Sequence, residues 1–449
     1  MSLPPSTSDR QGPAVDRRET GERPVPVSRA PDPEADGLLL AGPRLATGEV
    51  VDVLLSGGRI AVVRPAGTPV ADGVPRLDLS GHLLLPAPAE PHSHFDKVLT
   101  GTVLGNRTGD LAGAVDAWYA YRRSVSRSDV RERALRAAYE LLGSGATAIR
   151  THVDVGVATG LGMLEALLEV REELAGQVEL QVVAMVDRPV TGPDGAGNRA
   201  MLVEAVRSGA DVIGAAPYSH PDPPACLRLL LDVAAEFGRP VDLHTDETLD
   251  PAVDTLSELA ELVLATGFRP AVTASHCVSL GVRGEEATRA VVARVAAAGI
   301  GVITCPSTNL FLQGRGHGHS VPRGLTAIVA LRAAGVAVAG AGDNMRDPFN
   351  PVGRGDPLET ASLLVTAGHL DPAEAYDAVS AQARTVMGLP AVRIEAGAPA
   401  ELLAIRAQSL TDAIAAANMD RMVIHRGRLV SRTRVERTFS PPLPAAARR

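Results

Sequence analysis

Leu83-Leu84-Leu85-Pro86-Ala87-Pro88-Ala89-Glu90-Pro91-His92-Ser93-His94-Phe95-Asp96-Lys97 is the stretch on which the reading of this chain turns. Its apolar run predicts a buried strand over 83–91 that emerges at two histidines one residue apart. Residues two apart in a strand share a face, so both imidazoles are placed to meet one metal ion. Lys97 closes the stretch and is the only lysine in 449 residues. A lysine offers a compact ammonium, whereas arginine is a wide, permanently charged fork. Its retention in a chain that otherwise uses arginine points to a chemical need. The plainer alternative is a polar loop with two incidental histidines.

Outward from this stretch the sequence alternates. Short apolar runs end in polar or ionisable residues, and each leads into an Ala/Leu/Arg/Glu segment with helical spacing. Strands are predicted over 83–91, 146–155, 178–187, 211–217, 240–246, 271–276, 299–304 and 336–343. Helices fall between them, among them 128–143, 162–174, 225–237, 254–266, 285–298 and 324–334. Alternating β and α elements imply a parallel sheet, and eight repeats predict a closed (β/α)8 barrel of the TIM type. The rival, an open doubly wound sheet, favours a glycine-rich phosphate loop after its first strand, and none follows here. Short β-like pieces at 38–85 and again at 401–427 predict one small sheet domain paired from both ends. The expected organisation is a disordered tail at 1–36, parts of the small sheet domain at 37–82 and 389–436, the barrel at 83–388, and a second tail at 437–449.

A net charge of −8 argues against nucleic acid as the main partner, since phosphate neutralisation needs a basic surface. Aromatic residues make up 3% of the chain, too few for a stacking platform. No apolar run approaches the roughly 18 residues that cross a bilayer, and no signal-peptide pattern opens the chain. Cys226, Cys277 and Cys305 are widely spaced, as free thiols of a reducing cytoplasm would be. The expectation is a cytoplasmic, homo-oligomeric enzyme acting on a small molecule.

Functional groups of a (β/α)8 barrel lie at the C-terminal ends of its strands. Those ends here carry His92 and His94, His152 and Asp154, Asp187 and Arg188, then His244, Asp246 and Glu247, then His276, and last Asp343 and Asn344. Imidazole with carboxylate suits Zn²⁺ or Fe²⁺, and His92, His94, His244 and Asp343 would make one mixed site. An ion of this kind lowers the pKa of its water to about 7. Glu247 stands where a proton shuttle belongs, and His276 where it can polarise the water or a developing oxyanion. His152 and Asp154 are read as bracing neighbouring strands, and Cys305 as a small core residue. His317 and His319 are read as solvated, and His82, His220, His369 and His425 as structural or surface residues.

These motifs, in this order, resemble the amidohydrolase superfamily and its cytosine deaminase branch over about residues 38 to 430. The resemblance rests on the 91–97 motif, Arg150-Thr151-His152-Val153-Asp154-Val155, His244-Thr245-Asp246-Glu247, Ser275-His276, Leu312-Gln313-Gly314-Arg315, and Gly342-Asp343 with Asp347-Pro348-Phe349. It implies that the small sheet domain from both ends is a β-sandwich, and it implies one metal held by His92, His94, His244 and Asp343, with Glu247 as shuttle and His276 as a water or substrate partner. The binuclear relatives' carboxylated lysine after strand four has no counterpart in a chain whose one lysine is Lys97. Three positions depart from cytosine deaminases: Asp187 replaces a glutamine at the ring edge, Asn344 a second aspartate, and Phe349 a tryptophan. With Lys97 they form the expected substrate-binding set. Asn344 and Lys97 together are similar to N-isopropylammelide amidohydrolases, which remove an alkylamine from a triazine.

The function expected is metal-dependent hydrolysis that removes ammonia or an amine from a small nitrogen heterocycle. An N-alkylaminotriazine amidohydrolase and a cyclic amide or imide hydrolase are the enzyme alternatives. A catalytically silent metal-binding scaffold is the alternative of another class.

Overall fold

The computed structural model describes residues 37–69 and 73–440. The tail expected at 1–36 lies outside the described residues, as does the one expected at 437–449 apart from 437–440. Eight parallel strands form one sheet in chain order: Ala89–Ser93, Ala148–Val155, Glu179–Val186, Val212–Ala215, Val241–Thr245, Val272–His276, Gly301–Thr304 and Val338–Gly340. Its two edges meet where the Asp343 amide donates to the His92 carbonyl at 3.1 Å and Ser93 bridges Asp343 in parallel. The sheet is therefore closed, and the fold is the (β/α)8 barrel that the alternation predicts. Strands covered by helices outside and by side chains inside are apolar throughout, and Ala148–Val155 is buried at every residue.

The helices follow their caps and faces. Arg127–Gly143 opens on Ser126, whose hydroxyl accepts from the Asp129 amide, and buries Val130, Ala134, Ala137, Ala138, Leu141 and Leu142. Three- and four-residue steps place those side chains on one face. Pro223–Phe237 opens on Asp222 with proline in its first turn and ends at Gly238, φ 61°. Only a residue without a Cβ takes that left-handed conformation freely. The helix expected at 324–334 is shorter, Ile328–Ala333. Leu111–Tyr121, after the first barrel strand, is absent from the expected helices, and it supplies part of the site. Among the described residues no helix is long and apolar enough to cross a membrane.

The strand expected over 83–91 is two strands. Leu83–Pro86 pairs antiparallel with Leu402–Ile405 and touches Leu38–Arg44, while Ala89–Ser93 begins the barrel. Pro86 and Pro88 bring no amide hydrogen, so one ladder does not run through both. Leu83 and Leu85 pack into the barrel core and Leu84 into the core of the small sheet. A strand between two apolar layers is apolar on both faces, and that conceals the break from a periodicity argument.

The small sheet runs Arg428–Thr433, Arg421–His425, Leu402–Ile405, Leu83–Pro86, Leu38–Arg44, Val50–Ser56, Arg59–Pro65, with Arg76–Asp78 beside Leu38–Arg44. Ile60 bonds to the Ala398 carbonyl at 2.9 Å, and Gly397 returns to the Ile60 carbonyl at 2.7 Å. The sheet thus folds over one apolar cluster that includes Leu40, Val53, Ile60, Leu402 and Ile424.

Arg421 joins this sheet to the barrel. Fully buried, it forks onto Asp356 at 2.9 and 2.8 Å and also donates to the Ser144 carbonyl at 2.6 Å. Asp356 in turn caps Pro357–Thr366. Removing one member of a buried pair strands the other charge, so Arg421→Met is expected to cost about 3–5 kcal/mol in urea unfolding.

Candidate active site

His92 lies on the first barrel strand, His94 just beyond it, His244 on the fifth, and Asp343 three residues past the eighth. All four are buried. His244 Nε2 stands 3.1 Å from His94 Nε2. Asp343 Oδ1 stands 3.4 Å from His94 Nε2 and 3.7 Å from His92 Nε2. Ligands about 2.0–2.2 Å from a tetrahedral ion lie roughly 3.3–3.6 Å from each other; His92, His94 and His244 form one group that could hold such an ion, and Asp343 groups with His92 on its other side.

The hydrogen-bond inventory agrees with that fit. Both nitrogens of His92, Nδ1 of His244 and both oxygens of Asp343 have no partner among the described residues. Buried polar atoms without partners are rare in folded proteins. Burial, first of all, holds the three imidazoles well below their ordinary pKa, in the neutral form that ligates. Burial, then the neighbouring Glu247, Asp347 and Glu90, push the Asp343 carboxyl well above the carboxylate range. A divalent cation among these donors would compensate them.

The seam behind the cluster is held by Glu90, which sequence reasoning passed over. Its oxygens accept from the Gly342 amide at 3.1 and 3.0 Å and from the His92 amide at 3.3 Å. Backbone strain collects nearby: Asp343 has φ 65° and His276 φ 67°. Conformations of this kind cost of order 1–3 kcal/mol each and persist where surrounding structure enforces them.

Glu247 and His276 meet through Asn309, a residue outside the expected set. Its buried amide donates to Glu247 Oε1 and lies at His276 Nδ1, both at 3.2 Å. Glu247 Oε1 is 3.5 Å from His276 Nδ1. Burial raises the Glu247 carboxyl to about 8 although the Asn309 bond pulls the other way. The only visible signal for Asn309 was an amide just past an apolar strand, within Pro306–Leu312. Asp246, next to Glu247, serves the backbone instead. Its carboxylate accepts from the Thr255 and Leu256 amides at 3.1 Å each and fastens the start of the next helix.

A cavity of about 590 Å³ opens onto His94, His244, Glu247, His276 and Asp343. Lys97, Asn344 and Phe349 also line it. Lys97 Nζ lies 3.0 Å from Asp96, 3.1 Å from His94 Nδ1, 3.6 Å from Asp154, and 5.9 Å from the Phe349 ring centre. Burial alone would lower its pKa, but Asp154 and Asp96 outweigh that and hold it charged. Asn344 donates to Asp347 Oδ2 at 2.8 Å and accepts from Thr308 Oγ1 at 3.3 Å.

Asp187, expected at the ring edge, is placed otherwise. Arg122 clamps both of its oxygens, at 2.7 and 2.9 Å, and Asp187 does not line the cavity. A free carboxylate in a largely buried place needs a cation, and Arg122 supplies one. Asp154, read as a strand brace, does face the cavity and accepts from Arg122 at 2.7 Å and from Trp118 Nε1 at 2.9 Å. Trp118 is the only tryptophan in the chain, a rarity as usable as that of Lys97. His152 sits deeper, its ring 4.1 Å from that of His92 and its Nε2 3.7 Å from Asp242.

Three histidines and two buried carboxyls thus gather at the rim of a (β/α)8 barrel where enzymes of this fold carry their functional groups. The chain belongs to the amidohydrolase family, whose sequence model matches residues 97–431. It is an enzyme acting on carbon–nitrogen bonds other than peptide bonds. The chain is 34% identical over 409 residues to a pterin deaminase of Rhizobium rhizogenes, covering 89% of this chain and 90% of that one. It superposes on the 5-methylcytosine deaminase of Klebsiella pneumoniae liganded with 5-fluorocytosine with TM-score 0.81 and 29% identity, over 90% and 99% of the two chains. With the N-isopropylammelide isopropylaminohydrolase of Burkholderia multivorans the values are 0.77 and 31%, over 88% and 98%.

Elemental analysis of the purified protein is expected to find one equivalent of a divalent metal. Replacing His92 or Asp343 by Ala is expected to reduce it by tenfold or more at fixed free metal, since each supplies one donor of about four.

Proposed function

We propose that this protein hydrolytically removes ammonia from a pterin-like two-ring heterocycle, with Zn²⁺ or Fe²⁺ held by His92, His94, His244 and Asp343. The observation that carries the reading is Glu247: a buried carboxyl poised near neutrality, beside the donor cluster and open to the cavity. A divalent ion in that cluster acts as a Lewis acid and brings the pKa of water down to about 7. The chain's own groups handle the protons. Water adds to the ring carbon that bears the exocyclic nitrogen, and Glu247 takes its proton. Glu247 then delivers that proton to the ring nitrogen. When the tetrahedral adduct collapses, ammonia leaves with a proton from the added hydroxyl, and a carbonyl stays on the ring. A carboxyl with pKa near the working pH both accepts and donates readily. His276 accepts at Nδ1 from Asn309, which leaves Nε2 as the protonated nitrogen, a donor for the developing oxyanion.

The kinship with a pterin deaminase and a cavity roomier than one ring requires support the two-ring substrate. Lys97, Asn344 and Phe349, which line the cavity, are proposed to contact the ring. Lys97 with Asn344 favours an N-alkylaminotriazine as the second candidate. We extend the proposal to a homo-oligomer of the cytoplasm, and three buried free cysteines support that compartment.

An ammonia-release screen over pterins, aminopyrimidines and triazines tests the reading. A ring-opened acid in place of ammonia would assign a cyclic amide hydrolase instead. Glu247→Gln is expected to lower kcat about 10²–10⁴-fold with metal content unchanged. The same variant should alter stability in the chelated protein. The folded state holds the Glu247 proton more tightly than the unfolded chain, so stability falls as pH rises from about 4.5 through about 8. The Glu247→Gln variant lacks that titration, and thermal melts at pH 8 should show it more stable than the parent.

A further inference from the structure

Arginines around the cavity differ in what neutralises them. Arg122 is held between Asp154 and Asp187. Arg315 lies over the Phe311 ring at 4.4 Å, donates from Nε to the Phe311 carbonyl at 2.8 Å, and acts on the Asp110 carboxylate from beyond ion-pair distance. Arg188 lines the same cavity and is exposed, yet among the described residues it has no carboxylate within ion-pair distance. Its described hydrogen bond runs from Nη1 to the Ser219 carbonyl at 3.1 Å and leaves the other donors open. Tyr119 and Tyr218 stand beside it in the lining, and Tyr218 is in electrostatic reach of both Arg188 and Glu247. The uncompensated cation thus shares the cavity wall with Glu247.

A guanidinium in this setting recognises a carboxylate or a phosphate by two parallel hydrogen bonds. We infer that the substrate carries an anionic substituent, a carboxylate or phosphate ester, on the side of the ring away from the leaving amine, and that Arg188 binds it. This rests on the heterocycle deaminase reading above and adds to it the class of substituent. The ring is positioned from both ends: the reacting carbon at Glu247 and the anion at Arg188. Binding energy at the far end fixes the near one.

The test compares kcat/KM for pterin-6-carboxylate, 6-hydroxymethylpterin and 6-hydroxymethylpterin monophosphate with the metal-loaded parent, Arg188→Gln and Arg188→Lys. A charge-assisted pair predicts that one or both anions exceed the neutral compound by about tenfold to a hundredfold. The two anionic arms distinguish carboxylate from phosphate. Arg188→Gln should erase the preference mainly through KM, and Arg188→Lys should restore part of it. Equal kcat/KM for neutral and anionic pterins overturns the inference, as does a Gln variant that depresses all three alike. Ammonia released from pyrimidines or triazines but from no pterin overturns it while leaving the deaminase reading in place. No ammonia from any ring removes both.

Discussion

The hydrogen bond from the Asp343 amide to the His92 carbonyl, 3.1 Å long, closes the barrel and builds the site in the same act. It joins the last strand to the first, and so brings a carboxylate from the end of the barrel next to two imidazoles from its start. Glu90 doubles the seam by accepting from amides on both sides of it. Barrel strands tilt and stagger together, so the position of His244 across the barrel follows from the same closure. If this seam opened, the donors would belong to separate strand ends.

Such an arrangement opposes stability. Burial pushes Glu90 and Glu247 each to about 8, and keeps the cluster histidines neutral and in part without partners. A protein tolerates this where a bound cation and a reaction compensate for it. The rest of the cavity is better balanced. Lys97 and Arg122 answer Asp96, Asp154 and Asp187 in one buried network, which gives the wall of the pocket a fixed shape. Against that balance Arg188 stands out.

The eight strands, and the gathering of His92, His94, His244 and Asp343 at one rim, were legible because they obey local rules. An apolar run followed by a histidine or aspartate shows its chemistry wherever it lies, and barrel geometry sends strand ends to one rim. The surroundings of Asp187 were not legible, for the opposite reason. Its position after the third strand is the one expected for a ring contact, but the helix Leu111–Tyr121 and the turn after it bring Arg122 over it. A partner 65 residues away leaves no trace in the local pattern. Asn309 and Trp118 escaped likewise, since their roles exist only through groups that other strands deliver. The division of 83–91 was hidden because leucine suits both apolar layers it serves.

The order of the elements, the kinds of donor and the solitary lysine were determined by the sequence itself, since spacing and side-chain chemistry are properties of short stretches. The tertiary structure decided which carboxylates are neutralised by arginine, which one joins the histidine cluster, and which arginines of the cavity wall have no carboxylate at ion-pair distance. Those are questions of charge pairing across the barrel, and Coulomb interactions depend on distance in space rather than on separation along the chain.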